Sequence, residues 1–294
     1  MKEHRFAVIL AGLIFCLILL GGVVHNTGSS LACPDWPTCY GSLMPEMKGG
    51  VAIEHSHRLA AASVGLLTIV LSALLYKKRK NLQALGFFAV FLVIFQGVLG
   101  GVTVLLRLPT AVSTAHLATS FIFLAVILYI AWKTETPRPA TRTTGAGWVK
   151  AAAVLVYAQS VLGAFMRHTG AGLVCPEIPF CYGSLWPAHM PPIVLLHMAH
   201  RWMGVVAALA VLPLPFIVRG GDGRVRFLSN VAPLLVLIQV GLGLASVWTQ
   251  LGIVSVTAHL GMAALLWSVL ISLVFLTNRA GVVRLPFQSR EVLA

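Results

Sequence analysis

Charge is what this chain lacks. Charged residues make up 10% of its 294 positions, and acids are scarcest, with eight Asp and Glu against 21 Lys and Arg. Soluble domains carry roughly a quarter charged residues. At 58% apolar and a mean hydropathy of +0.91, a soluble globular domain is excluded. Two other signals are missing. No small-residue cleavage site follows the first apolar stretch, and no Arg- and Ser-rich presequence precedes it. That stretch therefore reads as a retained helix of a bacterial chain, not a cleaved signal or an imported organellar precursor. Nothing spells a flavin or nicotinamide site, and the broken midplane helices of a transporter are not evident.

What is present instead is apolar length. A membrane span needs about 20 mostly apolar residues, and eight stretches qualify: 6–24, 51–76, 84–106, 111–132, 148–166, 192–218, 228–249 and 253–276. The expected fold is an all-α integral membrane protein of eight transmembrane helices. The basic excess orients it. Sixteen of the 21 Lys and Arg fall in the N-terminus, the even-numbered connections and the C-terminal tail, among them Lys77, Lys78, Arg138, Arg142, Arg279, Arg284 and Arg290. Cytoplasmic loops carry such an excess, so both termini are expected inside a bacterial cell membrane. The net charge of +13 thus needs no nucleic-acid partner, and lipid is the surrounding medium.

The chain also says the same thing twice, which must be recognised before any fold assignment. Cys33-Pro-Asp-Trp-Pro-Thr-Cys39-Tyr-Gly-Ser-Leu returns as Cys175-Pro-Glu-Ile-Pro-Phe-Cys181-Tyr-Gly-Ser-Leu. His57-Arg58 returns as His200-Arg201, and Thr114-Ala115-His116-Leu117 as Thr257-Ala258-His259-Leu260. Four crossings per copy give both copies one orientation, so two four-helix bundles are expected as parallel repeats. The first half is residues 1–135, the second 148–294, and a polar cytoplasmic linker over 136–147 joins them. The Cys-bearing loops then lie on the extracytoplasmic side, where disulfides persist. Pairing within each loop would fix its shape through a short ring stiffened by prolines. Cys16, left over in the first helix, reads as a small apolar filler.

Position sorts the ten histidines. His4 falls in the cytoplasmic tail and His189 in an outer loop, both expected to be solvated, while His25 and His168 fall where helices one and five reach the outer surface. His55 lies about 160° round its helix from His57 and cannot share its site. His57, His116, His200 and His259 remain, one on each even-numbered helix, about 8–13 Å from its outer end. Opposed histidines at matching depth in a four-helix bundle suit axial ligation of a haem iron. Hydrogen bonding between helices is the plain alternative, although ionisable residues at membrane depth are functional candidates by default. A zinc or copper site would need further ligands at the same level, and only His197, one turn outward from His200, offers one. Gln96, Gln159 and Gln239, each shortly before a Gly-containing turn, are expected to bond between helices.

One difference between the halves stands out. Glu54 precedes His57 by three residues on one helix face, whereas the counterpart before His200 is His197. A carboxylate at that depth needs a partner. Arg58, four residues on, could be a structural one, but the acid's presence in one half alone suggests that one site reacts and the other holds a permanent cofactor. Arg58, Arg201 and Arg107, near the outer surface, could pair with haem propionates or snorkel to the interface.

With these residues in place, the sequence resembles the heme A synthase family, the membrane enzymes of cytochrome oxidase assembly, from its first helix through its eighth. The resemblance implies stepwise oxidation of a heme O methyl group to the formyl group of heme A. It implies a substrate haem in the N-terminal half, served by Glu54 with His57 and His116 as axial residues. His200 and His259 would be axial ligands of a resident haem b, and Cys33–Cys39 and Cys175–Cys181 disulfides. It further implies a heme O-supplying synthase and an electron donor as partners, and is compatible with a homo-oligomer. One departure shows: where the family usually carries an Arg after helix one, as Arg167 stands after helix five, this chain has His25 and Asn26. A diheme b-type, quinol-linked electron-transfer protein would explain the histidines equally well, but not an acid in one half only. A membrane thiol oxidant would explain the Cys pairs but not the four histidines.

Overall fold

In a computed structural model, which describes residues 2–136 and 143–278, the regular elements among the described residues are all helices, and eight of them are long and apolar enough to cross a membrane. In chain order they are α1 Lys2–Asn26, α2 Gly49–Lys78, α3 Gln83–Leu105, α4 Thr110–Thr134, α5 Ala146–His168, α6 Pro192–Val211, α8 Gly223–Trp248 and α9 Ile253–Asn278. The short α7, Leu214–Ile217, continues the sixth span after a break at Pro213. Proline has no N–H to give and crowds the preceding turn, so the stretch expected as one helix over 192–218 is two. Of the expected linker, Ala146 and Gly147 already belong to α5, and 137–142 lie outside the described residues. So do Arg138, Arg142, Arg279, Arg284 and Arg290 of the charge argument.

Helices α1 to α4 pack each on the next, with α4 closing back on α1; α5, α6, α8 and α9 form the second group. The groups meet along α1 and α4 on one side and α5 and α9 on the other. Close approach there rests on glycine. A Cβ on Gly22 would lie 2.7 Å from Leu260, and one on Gly261 2.5 Å from Leu19, so α1 and α9 interlock reciprocally. Indole N–H groups tie the same seam, from Trp267 to the Phe121 carbonyl at 2.9 Å and from Trp132 to Ser272 Oγ at 3.2 Å. Such small-residue contacts and side-chain bonds hold helices together where lipid supplies no hydrophobic drive.

The ends opposite the Cys loops are fastened by charge. Glu3 at the start of α1 pairs with Lys78 at the end of α2 (3.3 Å). Asp222 caps α8 by accepting the Arg224 and Val225 amides, and the Arg224 guanidinium reaches Glu135 beyond α4. Burial raises the Asp222 carboxyl while bonds from Arg224 and the Val225 amide outweigh it, leaving its pKa lowered. His4 is not solvated: it sits in the first turn of α1 and donates to the Ala131 carbonyl at 2.8 Å. Cys16 is exposed on α1 and fills no gap.

Candidate functional site

Both Cys loops fold the same way because the motif dictates it. Cys33–Cys39 and Cys175–Cys181 are disulfides with all four residues buried. Cys39 and Ser42 exchange backbone bonds (2.9 and 3.1 Å), as do Cys181 and Ser184. Between them Tyr40-Gly41 and Tyr182-Gly183 have positive φ, the backbone of a type I′ turn, which glycine enters without strain. The acid after the first proline fixes this turn. Asp35 accepts from Tyr40 N–H (2.6 Å), Gly41 N–H (2.9 Å) and the Thr38 hydroxyl, and Glu177 accepts from Gly183 N–H (3.1 Å). The Thr38 hydroxyl, then the Gly41 amide, hold the Asp35 carboxyl down at about 2.

Each loop is clasped by the arginine of its His-Arg pair. Arg58 donates to the carbonyls of Asp35 (2.7 Å), Thr38 and Cys33 (3.1 Å). Arg201 donates to the matching carbonyls of Glu177 (2.7 Å), Phe180 (3.2 Å) and Cys175. Both guanidiniums are thus engaged by their loop. Satisfying three loop carbonyls at once is a task that a planar, multi-donor cation performs well. Arg107 is exposed, in the tight turn after α3.

Glu54 belongs to the same clasp. It is buried; one oxygen pairs with Arg58 and the other accepts the Cys33 N–H at 2.7 Å. His197, its counterpart, is also buried and donates from Nδ1 to the Ala171 carbonyl at 2.7 Å. Acid and imidazole thus both anchor a loop, from opposite ends of a hydrogen bond. His55 faces its disulfide and bonds through Nε2 to the Leu43 carbonyl at 3.0 Å, away from His57.

The four singled-out histidines are brought together in two pairs. His57 on α2 and His116 on α4 belong to the first helix group, and His200 on α6 and His259 on α9 to the second. Each ring is seated, Cε1 first, on a glycine of another helix. A Cβ on Gly21 of α1 would lie 3.2 Å from His57, on Gly100 of α3 3.4 Å from His116, on Gly163 of α5 2.7 Å from His200, and on Gly243 of α8 3.1 Å from His259. The sequence reading missed these notches. Their signal was present, since Gly21 and Gly100 recur as Gly163 and Gly243 in the second copy of the repeat.

Glutamines line the rings as expected of interhelical bonds. Gln159 Nε2 lies 3.1 Å from His200 Nδ1 and 2.9 Å from its carbonyl. His259 Nδ1 donates to the Gln239 carbonyl at 3.1 Å, and the Gln239 amide lies 3.3 Å from His259 Nε2. Gln96 bonds the His116 carbonyl (3.0 Å) and Thr119 Oγ1 (2.6 Å). Nδ1 of His57 and of His116 are buried without a partner among the described residues.

Where the halves meet near the loops, His25 and His168 stack edge to face at 5.1 Å, and His168 Nδ1 lies 3.1 Å from Thr114 Oγ1. Arg167 reaches Asn26 Oδ1 at 3.5 Å, while its Nε has no partner among the described residues. Trp36, missed as a site residue, lays its ring on Gly101 of α3, where a Cβ would come within 2.6 Å. It pins the first loop over the His57–His116 half.

Two imidazoles per half, oriented by their notches, form a donor set that suits the two axial positions of an iron porphyrin. Zinc would want two more ligands. Among the described residues the one cluster of three candidate metal ligands is Cys33, Cys39 and His55, and its sulfurs are tied in a disulfide.

Fold and site define a polytopic helical membrane protein with two half-buried histidine pairs, one under each disulfide-closed loop. Residues 4–52 and 46–271 match the COX15-CtaA family, described as cytochrome oxidase assembly protein, and the chain belongs to that family. It is 30% identical to the heme A synthase of Shouchella clausii over 94% of this chain and 97% of that protein. It is 28% identical to the heme A synthase of Alkalihalophilus pseudofirmus, covering 93% and 97%. To that of Lysinibacillus sphaericus it is 30% identical, covering 90% and 92%.

Proposed function

We propose that this protein is a membrane enzyme that converts heme O to heme A, oxidising a porphyrin methyl group to a formyl group. The observation that carries the reading is the doubled histidine pair, held in glycine notches, in a chain matched along its length by heme A synthases. Methyl to formyl is a four-electron oxidation of one carbon through two hydroxylations, the second giving a geminal diol that loses water; with molecular oxygen as the oxidant, each hydroxylation takes two electrons and two protons, the electrons coming from an outside electron donor, and releases one water.

The N-terminal half is the reactive one in this reading. His57 and His116 take the substrate iron, their unpartnered Nδ1 atoms leaving both rings free to adjust as substrate enters and product leaves. Glu54 sits one turn from His57, with its carboxylate fixed between Arg58 and the Cys33 amide. It couples the state of the site to the loop above and supplies a carboxylate where charge or a proton moves. Trp36 and the clasped loop exclude water from the carbon being oxidised. In the C-terminal half His200 and His259 would hold a haem b, which supplies a one-electron redox centre when bound. In this reading the Cys loops face the extracytoplasmic side and both termini the cytoplasm, which the excess of Lys and Arg in the termini and even-numbered connections supports. A heme O-supplying synthase delivers substrate, and a homo-oligomer is compatible with the exposed lipid-facing helices.

The test is haem composition in cells that make heme O and carry this chain as their only synthase. Heme A is expected from the native chain. Glu54→Gln, which keeps an acceptor for the Cys33 amide, is expected to slow conversion by about 10²–10⁴ with haem binding intact. Normal heme A output from Glu54→Gln would leave the carboxylate its loop-anchoring role alone. In the purified protein, His200→Ala or His259→Ala is expected to remove most of the haem b; full retention in the double variant would overturn the resident-haem assignment.

A further inference from the structure

The turn that joins α2 to α3 carries charge that its repeat partner does not. Lys77, Lys78, Arg79 and Lys80 stand in succession. At the interval that takes His57 to His200 and Gln96 to Gln239, their counterparts are Gly220, Gly221, Asp222 and Gly223. The fold therefore does not require cations at this turn. Lysines in the last turn of α2 complement the helix C-terminus, but Arg79 and Lys80 lie beyond it. Lys78 pairs with Glu3 of α1 at 3.3 Å. Lys77 and Lys80 are exposed, Arg79 is half-buried, and no carboxylate among the described residues pairs with any of these three. The turn that holds them is firm. The Arg79 amide bonds the Leu75 carbonyl and the Leu82 amide the Arg79 carbonyl, both at 2.8 Å. Gln83 Nε2 donates back to the Tyr76 carbonyl at 2.8 Å. Gly86 lets α3 lie against α2, where a Cβ would come within 2.9 Å of Ser72 Oγ.

Next to this turn lies a face of α3 that matches an acyl chain. Phe87, Phe91, Ile94 and Val98 are exposed and recur at the spacing of a single helix face. Tyr76 meets Phe87 at 6.0 Å, and Phe91 stacks on Phe88 at 6.3 Å and on Phe95 at 6.0 Å. From Phe87 to Val98 the face runs about 16 Å at 1.5 Å per residue, about the hydrocarbon depth of one leaflet. The aromatics too belong to the first half alone, since Phe87, Phe91 and Phe95 become Asn230, Leu234 and Ile238. We propose that this turn and the adjoining face form a site for an anionic diacyl phospholipid of the leaflet at this end of the bundle. The lipid phosphate meets Lys77, Arg79 and Lys80, and one acyl chain lies along Phe87 and Phe91. Runs of Lys and Arg beside a membrane helix attract anionic lipid by roughly a factor of 5 per cation. Charge that serves only to orient the chain need be neither consecutive nor joined to an aromatic face. A soluble anion would leave that face unused.

The experiment uses the full-length protein, purified in detergent and delipidated. Dioleoyl phosphatidylglycerol and dioleoyl phosphatidylcholine are titrated separately, and the first bound lipid is measured by native mass spectrometry. The phosphatidylglycerol is expected to bind about 5- to 30-fold tighter than the phosphatidylcholine. Lys77→Gln combined with Arg79→Gln and Lys80→Gln, which spares the Lys78–Glu3 pair, is expected to bring the two lipids to equal affinity. Arg219→Gln with Arg226→Gln removes two exposed cations from the same end of the second half and is expected to keep the preference. Equal affinities in the native protein, or the same loss in both sets of variants, would overturn the site in favour of charge spread over the whole end. sn-Glycerol 3-phosphate, which has the headgroup phosphate without the chains, is expected to leave the bound lipid in place; displacement by it would overturn the role of the acyl face. Should the triple variant not accumulate, Arg79→Asp, which copies Asp222, is expected to weaken phosphatidylglycerol by about 5-fold or more and to leave phosphatidylcholine unchanged. An unaltered ratio in that variant would equally overturn the proposal.

Discussion

Replacing Gly163 with alanine should disable the second histidine pair while leaving the helix bundle in place. The Cβ would stand 2.7 Å from Cε1 of His200, 3.2 Å from Nδ1 and 3.5 Å from Nε2. Carbon contacts become ordinary near 3.4 Å, so the ring must retreat by about 0.7 Å or α5 must part from α6, within a close-packed interior that yields little. Retreat also strains the bond to Gln159. Overpacking of this kind costs about 1–3 kcal/mol, equivalent to a fall of about 5- to 150-fold in haem b affinity. The other notch of this pair grades the effect: Gly243→Ala, at 3.1 Å from His259, should cost less, while Gly21→Ala and Gly100→Ala, which meet His57 and His116, should leave haem b unchanged. The assay is haem content of the purified variants by pyridine haemochrome, with far-ultraviolet circular dichroism to show that helix content is kept. Wild-type haem b in Gly163→Ala, or a greater loss in Gly100→Ala, would refute the notch argument.

Three further outcomes are expected. Arg201→Leu leaves the carbonyls of Cys175, Glu177 and Phe180 without their donor and should loosen the second Cys loop, read as faster protease cleavage within 174–190; Arg58→Leu should do the same to the first loop. Mass spectrometry without reduction should find Cys33 joined to Cys39 and Cys175 to Cys181, and opening either ring by Cys→Ser should cost that loop about 2 kcal/mol of chain-entropy stabilisation; four free thiols in an active protein would contradict it. The Asp35 carboxyl, held at about 2 against an ordinary 3.8, contributes stability that is fully present above 3.8 and lost as pH falls through about 2; hydrogen exchange at the Tyr40 and Gly41 amides should accelerate over that window, and unchanged protection down to pH 2 would contradict it.

The sequence by itself determined the helices and the repeat, because both are written in local terms. Apolar runs of span length become helices in lipid, where every backbone group must be satisfied within its own segment. The loop motif, with Tyr-Gly at the turn and an acid placed to cap it, carries its fold in eleven consecutive residues, so Cys33–Cys39 and Cys175–Cys181 were legible as closed rings. Histidine depth followed from counting along a helix. Proline 213 was legible too, as a breaker, but its effect on the sixth span went unread.

Tertiary structure alone decided what each polar group faces. Arg58 and Arg201 looked equally able to meet a propionate or to snorkel, and only the lie of the loop across α2 and α6 engages them with its carbonyls. Glu54 read as a reactive acid; its bonds to Arg58 and the Cys33 amide show that it is also a strut of that loop. The glycine seats of the histidines and the capture of Gln96 by Thr119 depend on which helices are lateral neighbours, how closely they approach and how they are rotated. Those quantities arise from packing between residues 16 to 37 apart in the chain (Gly100 to His116, Gly163 to His200) and leave no periodic trace in one sequence. Local spacing says which face of a helix a residue occupies; the neighbouring helix decides what it finds there.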